Sequence, residues 1–244
     1  MKEWLYGRNP IYEVLRAGRR KVYMLRVAKG VQEKGRLADI LSFCNANHIP
    51  VNEVSRQELD HIERHHQGVA LQVGEYSYAS LDDMLALAAE RDEPPFLLLL
   101  DTLQDPQNLG TLLRTAEAVG VHGVLLPYAR TATITPAVVS SSSGASEHLL
   151  VGQTNLAQAI TLIKEQDVWV IGLDGGEGSQ PVDRVNLKGS LALVVGSEGE
   201  GMRRLVRERC DLLMRLPMRG QIESLNAAVA GSVALYLALA SRQD

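Results

Sequence analysis

The chain has 244 residues, an ordinary share of apolar residues and a net charge of −4, which suits one large or two small soluble domains with a proper core. The N-terminal sequence carries charges and lacks the apolar stretch of a signal peptide. The longest uncharged apolar run, 225–240, is 16 residues long, which is shorter than the about 20 residues of a membrane-spanning helix.

The two cysteines, Cys44 and Cys210, lie far apart. Their separation argues against a disulfide framework or a zinc site and fits a reducing cytoplasm.

Basic residues are concentrated at the N-terminal end of the chain. Residues 1–40 contain ten lysines and arginines against four acidic residues, a net charge of +6, so the remaining residues carry −10. Such asymmetry indicates a segment that binds anions. A solvated, charged surface explains the same pattern equally well.

The first 74 residues are predicted to form a small α/β unit. Their apolar periodicity predicts helices over 9–18, 33–48 and 56–64, and strands over 22–28, 49–55 and 68–74. Residues 75–95 are predicted to be a connector with one helix, which Ser80 caps and which is followed by Pro94 and Pro95.

Strands and helices alternate regularly from residue 96 onward. Strands are predicted over 96–101, 123–127, 168–174, 191–198 and 212–218, and helices over 108–119, 155–166, 201–209 and 225–240. Four of these strands are continuous apolar runs, which is typical of a parallel sheet covered on both faces. The pattern predicts a doubly wound α/β domain, whose ligands bind beyond the carboxyl ends of the strands. Three of those ends, after residues 101, 195 and 216, are rich in glycine and polar residues.

Several common chemistries lack their motifs. No G-x-G-x-x-G follows a strand, and the chain has no P-loop, H-E-x-x-H or G-x-S-x-G sequence. The neighbours His65 and His66 are a poor chelating pair, and the serine run 140–143 has no evident histidine partner. We therefore expect no metal site, and we interpret the serine run as a turn.

Three segments that begin at the ends of strands, or include them, carry a specific similarity. "DPQNLGTLLRTAEAVGVHGVLLP" (105–127), "LALVVGSEGEGM" (191–202) and "LPMRGQIESLNAAVAGSVALYLA" (216–238) resemble, in order, three motifs of the SpoU-type RNA ribose 2′-O-methyltransferases of the SPOUT superfamily. "YGRNPIYEVL" (6–15) and "HQGVAL" (66–71) resemble the substrate-binding domain of the longer members, which is similar to ribosomal protein L30e. The similarity covers nearly the whole chain and is strongest to the RlmB group, which methylates a guanosine of bacterial 23S rRNA.

Two positions depart from the family pattern. Ser140 stands where a lysine is expected before the turn that follows the first motif, which removes a phosphate contact and weakens the assignment of the RNA. Ile222 replaces the usual valine of the third motif, a change of little consequence.

The resemblance implies an architecture and a set of partners. It implies an L30e-like RNA-binding domain over 1–74, a linker over 75–95 and a catalytic domain over 96–244, whose deep trefoil knot holds S-adenosylmethionine. Such knots are rare exceptions to the rules of chain connection. The expected partners are RNA and a second copy of the chain in a homodimer, for which the small residues of 225–240 suit an interface. We expect neither DNA nor a membrane as a partner, and a cytoplasmic location.

The resemblance also assigns roles to single residues. Gly196, Leu216 and Leu225 are expected to hold the cofactor, with Gly196 allowing a close approach of the backbone. The expected catalytic residues are Asn108, Arg114, Glu198, Ser224 and Asn226. Each has a simpler interpretation: the two leucines as core, Asn108 as a helix cap, Arg114 as a partner in a surface ion pair, Glu198 as a turn residue, and Ser224 and Asn226 as caps of the last helix.

Arg114 would be the central catalytic residue by this resemblance, even as the base that removes the 2′-hydroxyl proton. A guanidinium group is effectively always protonated, so that role is chemically awkward. We interpret Arg114 instead as a group that binds the phosphate beside the target ribose and stabilises the developing alkoxide. Glu198 is expected to orient Arg114, and the proton acceptor stays open.

Other functions remain compatible with the sequence. The same reaction could act on a guanosine of the tRNA D-loop or on another rRNA site. A non-catalytic RNA-binding protein would be expected to have lost Asn108, Arg114, Glu198 or Asn226, and all four are present. A metabolite-binding α/β protein is the remaining alternative.

Overall fold

The protein, seen in a computed structural model, is described over residues 2–176, 178–197, 199–222 and 224–243. The strands in chain order are β1 (Lys2–Tyr6), β2 (Val22–Ala28), β3 (Val51–Val54), β4 (Val69–Gly74), β5 (Phe96–Leu100), β6 (Gly123–Pro127), β7 (Val151–Thr154), β8 (Trp169–Leu173), β9 (Gln180–Pro181), β10 (Leu191–Val195) and β11 (Leu212–Arg215). The helices are α1 (Arg8–Ala17), α2 (Arg36–Ala46), α3 (Arg56–Asp60), α4 (Leu81–Glu90), α5 (Pro106–Ala118), α6 (Pro136–Ser141), α7 (Leu156–Lys164), α8 (Arg204–Arg209) and α9 (Ala227–Gln243). Short 3₁₀ turns lie at Ala145–Glu147 and Val182–Arg184.

The chain divides into two compact units. The first contains the residues up to Ser77 together with Ile134–His148, and the second contains Tyr78–Thr133 together with the residues from Leu149 onward. The sequence patterns place 134–148 inside the C-terminal domain, whereas in the structure this segment packs with the first unit. Its serine run is also only partly a turn, because Ser140 and Ser141 end α6.

A four-stranded mixed sheet in the order β1-β4-β2-β3 forms the first unit. Strands β1 and β2 run antiparallel to β4 between them, and β3 pairs parallel with β2. Leu5, Leu71 and Leu25 face one another across three strands and are completely buried. Strand β1 was not predicted, because its short, partly charged sequence gains its structure from pairing with the distant β4.

A buried ion pair fixes the inserted segment within the first unit. The Arg20 guanidinium donates from Nε and Nη2 to the two carboxylate oxygens of Glu147, each at 2.9 Å. The side chains are 1% and 0% exposed. Because both charges are removed from water, neither tolerates the loss of its partner.

Glu147→Gln is therefore expected to lower the free energy of unfolding by about 3 kcal/mol, the lower end of the range for breaking a buried ion pair, because the buried Arg20 charge keeps only the longer contact of 3.4 Å with Glu3. The matched control is Asp39→Asn, which removes an exposed partner of Arg36 and should cost less than about 1 kcal/mol. Urea unfolding followed by circular dichroism measures both values. Equal losses in the two variants would contradict this interpretation of the pair.

The second unit contains the predicted parallel sheet, which is confirmed. Seven strands lie in the order β7-β6-β5-β10-β8-β11-β9, and every neighbouring pair is parallel. The carboxyl ends of β5, β10, β8 and β11 are therefore adjacent along one edge. Because ligands bind beyond this edge in open α/β sheets, the fold itself indicates where a site should lie.

Helices cover both faces of this sheet. Val194 packs in a buried cluster with residues of α4, α7 and α8, whereas its neighbour Val195 lies against Gly231 of α9. Successive side chains of a strand point to opposite faces, so α7 and α9 lie on opposite sides. Helix α9 also packs along α5.

The small residues of α9 pack within the chain. A Cβ atom on Gly231 would lie 2.7 Å from Cδ2 of Leu112 in α5, and Ala234 and Ala238 are completely buried. The prediction that these small residues suit a subunit interface is wrong, because their close approach is made to the chain's own α5 and sheet.

The opposite side of α9 is exposed to solvent. We call this surface the α9 apolar face, and it consists of Val229, Val233, Tyr236 and Leu237, which are between 37% and 55% exposed. In the described part of the chain, no helix combines the length and hydrophobicity needed to span a bilayer. One side of α9 is therefore apolar because it packs against α5 and the sheet. The α9 apolar face is apolar without such packing among the described residues.

Candidate active site

A cavity of about 700 Å³ lies at the carboxyl ends of the central strands of the second unit. Its lining comes from the segments that follow β8, β10 and β11 and from the start of α9. Five of the eight predicted site residues line it, namely Gly196, Leu216, Ser224, Leu225 and Asn226. The structure thus joins segments that are far apart in sequence into one site.

The wall that follows β10 is a tight turn formed by residues 196–197 and 199–202, which we call the 196–202 loop. Ser197 and Gly201 pair as an isolated antiparallel bridge, with both N–H···O distances at 3.1 Å. A Cβ atom on Gly196 would lie 2.3 Å from the Gly201 carbonyl carbon and 2.4 Å from the Met202 nitrogen. From the sequence alone, we explain Gly196 by the close approach of a cofactor. The structure shows that the backbone of the loop itself leaves no space for a side chain at this position.

Asn226 connects the start of α9 with α5. Its Oδ1 accepts hydrogen bonds from the backbone N–H groups of Ala228 and Val229, at 2.9 and 3.1 Å, so it caps the helix as predicted. Its Nδ2 donates to Oδ1 of Asn108 at 3.1 Å. The side-chain amide of Asn226 therefore caps α9 and also holds the side chain of Asn108 beside the cavity.

Asn108 is not the cap of α5. Asp105 caps that helix, with its carboxylate accepting from the backbone N–H of Gln107 at 3.1 Å, and Pro106 occupies the first turn. Asn108 lies inside the first turn instead. The simpler interpretation of Asn108 as a helix cap is therefore wrong, and its side chain is available to the contact with Asn226.

Arg114 lies outside the cavity lining. It is exposed on α5, six residues after Asn108, which places it about 120° around the helix from that residue. The next residue, Thr115, shares a hydrogen bond of 2.9 Å with Ser232 of α9. Arg114 is therefore placed near the junction of α5 and α9. Glu198, the remaining predicted residue, lies outside the described residues.

A buried carboxylate at the end of β5 fastens the far end of the 196–202 loop. Asp101 is 0% exposed and accepts hydrogen bonds of 2.7 Å from the backbone N–H and the Nε of Arg203. The charge of Asp101 is thereby compensated where water cannot reach it. The sequence identified Asp101 only as a strand end, and nothing in its pattern indicated the distant arginine.

The end of β8 adds a charged pair that sequence reasoning missed. Asp174 accepts from Nε of Arg207 and from the backbone N–H of Gly176, each at 2.7 Å. Burial raises the pKa of Asp174, but these hydrogen bonds outweigh it and hold the pKa below its ordinary value. The carboxylate is thus charged at neutral pH, and both side chains line the cavity.

The lining can hold a ligand that has both apolar and charged groups. Leu216, Met218 and Leu225 offer apolar surface, and Asp174 and Arg207 offer charge. A nucleoside with an amino-acid tail has this combination of ring, hydroxyl and charged groups. Among the described residues, no group of three or more histidine, cysteine, aspartate or glutamate side chains is placed to bind a metal ion.

Comparison with known proteins identifies the family. The model of the SpoU rRNA methylase family matches residues 95–236, and a model described as RNA 2′-O ribose methyltransferase substrate binding matches residues 4–79. YacO of Bacillus subtilis (strain 168), whose name places it among TrmH family tRNA/rRNA methyltransferases, is 43% identical over 96% of this chain and 94% of its own length.

Two further similarities agree with this result. A protein of Mycobacterium ulcerans (strain Agy99), described as an uncharacterized tRNA/rRNA methyltransferase, is 44% identical over 96% of this chain and 75% of its own length. The solved structure of the SpoU methyltransferase AviRb from Streptomyces viridochromogenes, in complex with the cofactor AdoMet, has a TM-score of 0.81 at 22% identity, over 98% of this chain and 90% of that one. The family indicated by the three motifs is thereby confirmed, and the chain belongs to the SpoU rRNA methylase family of RNA methyltransferases.

Proposed function

We propose that this protein transfers a methyl group from S-adenosylmethionine to a ribose 2′-hydroxyl of RNA, and that its substrate is a guanosine of bacterial 23S rRNA, as in the RlmB group. The observation that carries the proposal is the cavity at the ends of β8, β10 and β11, where all three motif segments contribute a wall or a neighbouring side chain. We extend the proposal to the deep trefoil knot of the family, to an L30e-like first domain and to a cytoplasmic location.

The cavity fits the proposed cofactor in size and in chemistry. When bound, S-adenosylmethionine supplies an electrophilic methyl group carried on a positively charged sulfur. Leu216 and Leu225 offer apolar contact for a purine ring, and the loop after Gly196 offers backbone hydrogen-bonding groups. Asp174 and Arg207 place a negative and a positive charge in the lining, which suits a ligand with an ammonium and a carboxylate group.

The chain's own residues would position the RNA and stabilise charge in the reaction. We assign Arg114 to the phosphate beside the target ribose and to the negative charge that develops on the 2′-oxygen. Asn108, Ser224 and Asn226 would hold the ribose hydroxyls at the mouth of the cavity, with the Asn108–Asn226 hydrogen bond fixing the amides in advance. Glu198 is assigned to orienting Arg114.

A second copy of the chain would complete the site. Arg114 does not line the cavity of its own chain, yet Thr115 beside it contacts Ser232, which lies next to Val233 of the α9 apolar face. A two-fold dimer buries the same surface of both partners. We therefore propose a homodimer formed through the α9 apolar face, in which Arg114 of one copy serves the cavity of the other.

Tyr236→Glu is expected to convert this dimer into monomers, because two carboxylates would be buried at the two-fold contact. Analytical ultracentrifugation measures the outcome. The matched control is Leu162→Glu, which introduces the same charge at an exposed apolar residue of α7 and should leave the dimer intact. A monomeric wild-type protein, or a dimeric Tyr236→Glu variant, would contradict the proposed interface.

The substrate class is tested with labelled S-adenosylmethionine and separate pools of bacterial rRNA and tRNA from cells that lack the protein. Label in 23S rRNA supports the proposal. Label in tRNA supports the same chemistry with the D-loop guanosine as the alternative substrate. Absence of label from both pools, together with no calorimetric binding of S-adenosylmethionine, would rule the proposed function out.

A further inference from the structure

A second pocket lies in the first unit, apart from the residues assigned to catalysis. It has a volume of about 680 Å³ and is formed by α3, the turn before β4 and the first residue of α1. Its lining residues are Arg8, Arg56, Asp60, Arg64, His65, His66, Gln67 and Gly68. These residues lack a phenylalanine, tyrosine or tryptophan and are dominated by three guanidinium groups.

The turn that precedes β4 builds one side of this pocket. Gln67 has a φ of +53° and holds Arg8 twice, because its Oε1 accepts from the Arg8 backbone N–H at 2.9 Å and its carbonyl oxygen accepts from Arg8 Nε at 3.1 Å. The guanidinium of Arg8 is thus fixed by Nε, while its two terminal nitrogens donate to none of the described residues and can serve another group.

Asp60, the acidic residue of this pocket, is hydrogen-bonded to His66. His66 is only 5% exposed, and its Nδ1 accepts from the backbone N–H of Gly68 at 2.7 Å. The ring proton therefore lies on Nε2, which donates to Asp60 at 3.2 Å. Asp60 carries the one carboxylate among the described lining residues, so the pocket keeps an excess of positive charge.

The side chains of Arg56 and Arg64 have no hydrogen-bond or ion-pair partner within the described parts of the chain. Both residues are exposed. Cations that share one pocket repel each other unless an anion lies between them. The arrangement therefore favours the binding of an external anion, since Asp60 is the one carboxylate that the described lining supplies against three arginines.

We infer that this pocket binds phosphodiester groups of the substrate RNA strand, an inference that rests on the proposed function. Guanidinium groups match phosphate oxygens with paired hydrogen bonds. Base recognition in RNA uses stacking on aromatic rings or guanidinium planes together with hydrogen bonds to base edges. The aromatic side chains of the described lining are His65 and His66, and each is hydrogen-bonded to an acidic side chain, Glu63 or Asp60. Positive charge therefore dominates the pocket, which holds the RNA backbone, while the target nucleotide is selected elsewhere.

The test compares two double variants that remove the same charge. Arg56→Gln/Arg64→Gln acts on the pocket, and Arg184→Gln/Lys188→Gln removes two exposed cations of the second unit. Binding of a short fluorescent single-stranded RNA is measured by anisotropy over a range of salt concentrations. Loss of two phosphate contacts should reduce the slope of log K against log salt by about 1.4 and weaken binding roughly 25-fold at about 0.1 M salt. The control should stay close to the wild type.

Further measurements separate this inference from the proposed function. The pocket variant should raise KM for 23S rRNA and leave the calorimetric affinity for S-adenosylmethionine unchanged. Equal weakening of RNA binding in both double variants, or no weakening in either, would overturn the inference, as would displacement of the RNA by an acidic peptide at equal charge concentration. If the wild type binds RNA but methylates none, the proposed function fails while the anisotropy result still decides the role of the pocket.

Discussion

Replacing Arg114 with alanine is expected to lower the rate of methyl transfer by about 10²–10³-fold, the loss typical of removing one donor that stabilises a developing oxyanion. Arg114→Lys should recover little activity, because an ammonium group cannot reproduce the paired hydrogen bonds of the guanidinium to phosphate and alkoxide. Single-turnover transfer of labelled methyl groups to RNA measures the rate directly.

Cofactor affinity provides the internal check on this experiment. Since Arg114 is assigned to the RNA phosphate and the 2′-oxygen rather than to the cofactor, both variants should bind S-adenosylmethionine as the wild type does. The matched control is Glu117→Gln, another exposed residue of α5, which should leave the rate unchanged. Near-normal turnover by Arg114→Lys would exclude the proposed role of the guanidinium geometry.

Gly196→Ala is expected to weaken S-adenosylmethionine binding at least tenfold, which corresponds to about 1.4 kcal/mol or more. The added Cβ would overlap backbone atoms at 2.3 and 2.4 Å, and no side-chain rotation can relieve such a contact. The loop over residues 196–202 must move instead, and this loop is one wall of the cavity. Isothermal titration calorimetry measures the change.

Gly175→Ala is the control for that substitution. Gly175 lines the same cavity, but a Cβ there meets nothing within 4 Å and its backbone is not in the left-handed region. Its affinity for S-adenosylmethionine should change less than about twofold, a difference of a few tenths of a kcal/mol. Equal losses in the two variants would show that added volume in the cavity, rather than displacement of the loop, weakens binding.

The sequence was most informative where local pattern determines structure. Apolar runs predicted buried parallel strands over 96–101, 123–127 and 191–198, and the structure confirms parallel strands at Phe96–Leu100, Gly123–Pro127 and Leu191–Val195. Their polar ends predicted a site, because parallel strands place their carboxyl ends on one edge. The end of β8, with Asp174, was missed because the order of strands in a sheet depends on non-local pairing, which places β8 between β10 and β11.

Features that depend on tertiary contacts could not be predicted from the sequence pattern. The small residues of α9 indicate a close helix approach, but only the structure shows that α5 of the same chain fills it. The grouping of 134–148 with the first unit reflects contacts between distant segments, among them the pairing of Arg20 with Glu147, residues 127 positions apart. The pocket around Arg8 and Arg64 likewise joins side chains from distant segments, which no local motif reports.

The atom that receives the methyl group tests the central claim most directly. RNA methylated by the purified protein is digested with alkali and, separately, to nucleosides for mass spectrometry. Ribose methylation predicts label in an alkali-resistant dinucleotide, since a blocked 2′-oxygen cannot attack the adjacent phosphate, and it predicts 2′-O-methylguanosine among the nucleosides. Label in an alkali-labile mononucleotide, with the methyl group on the base, would contradict the account.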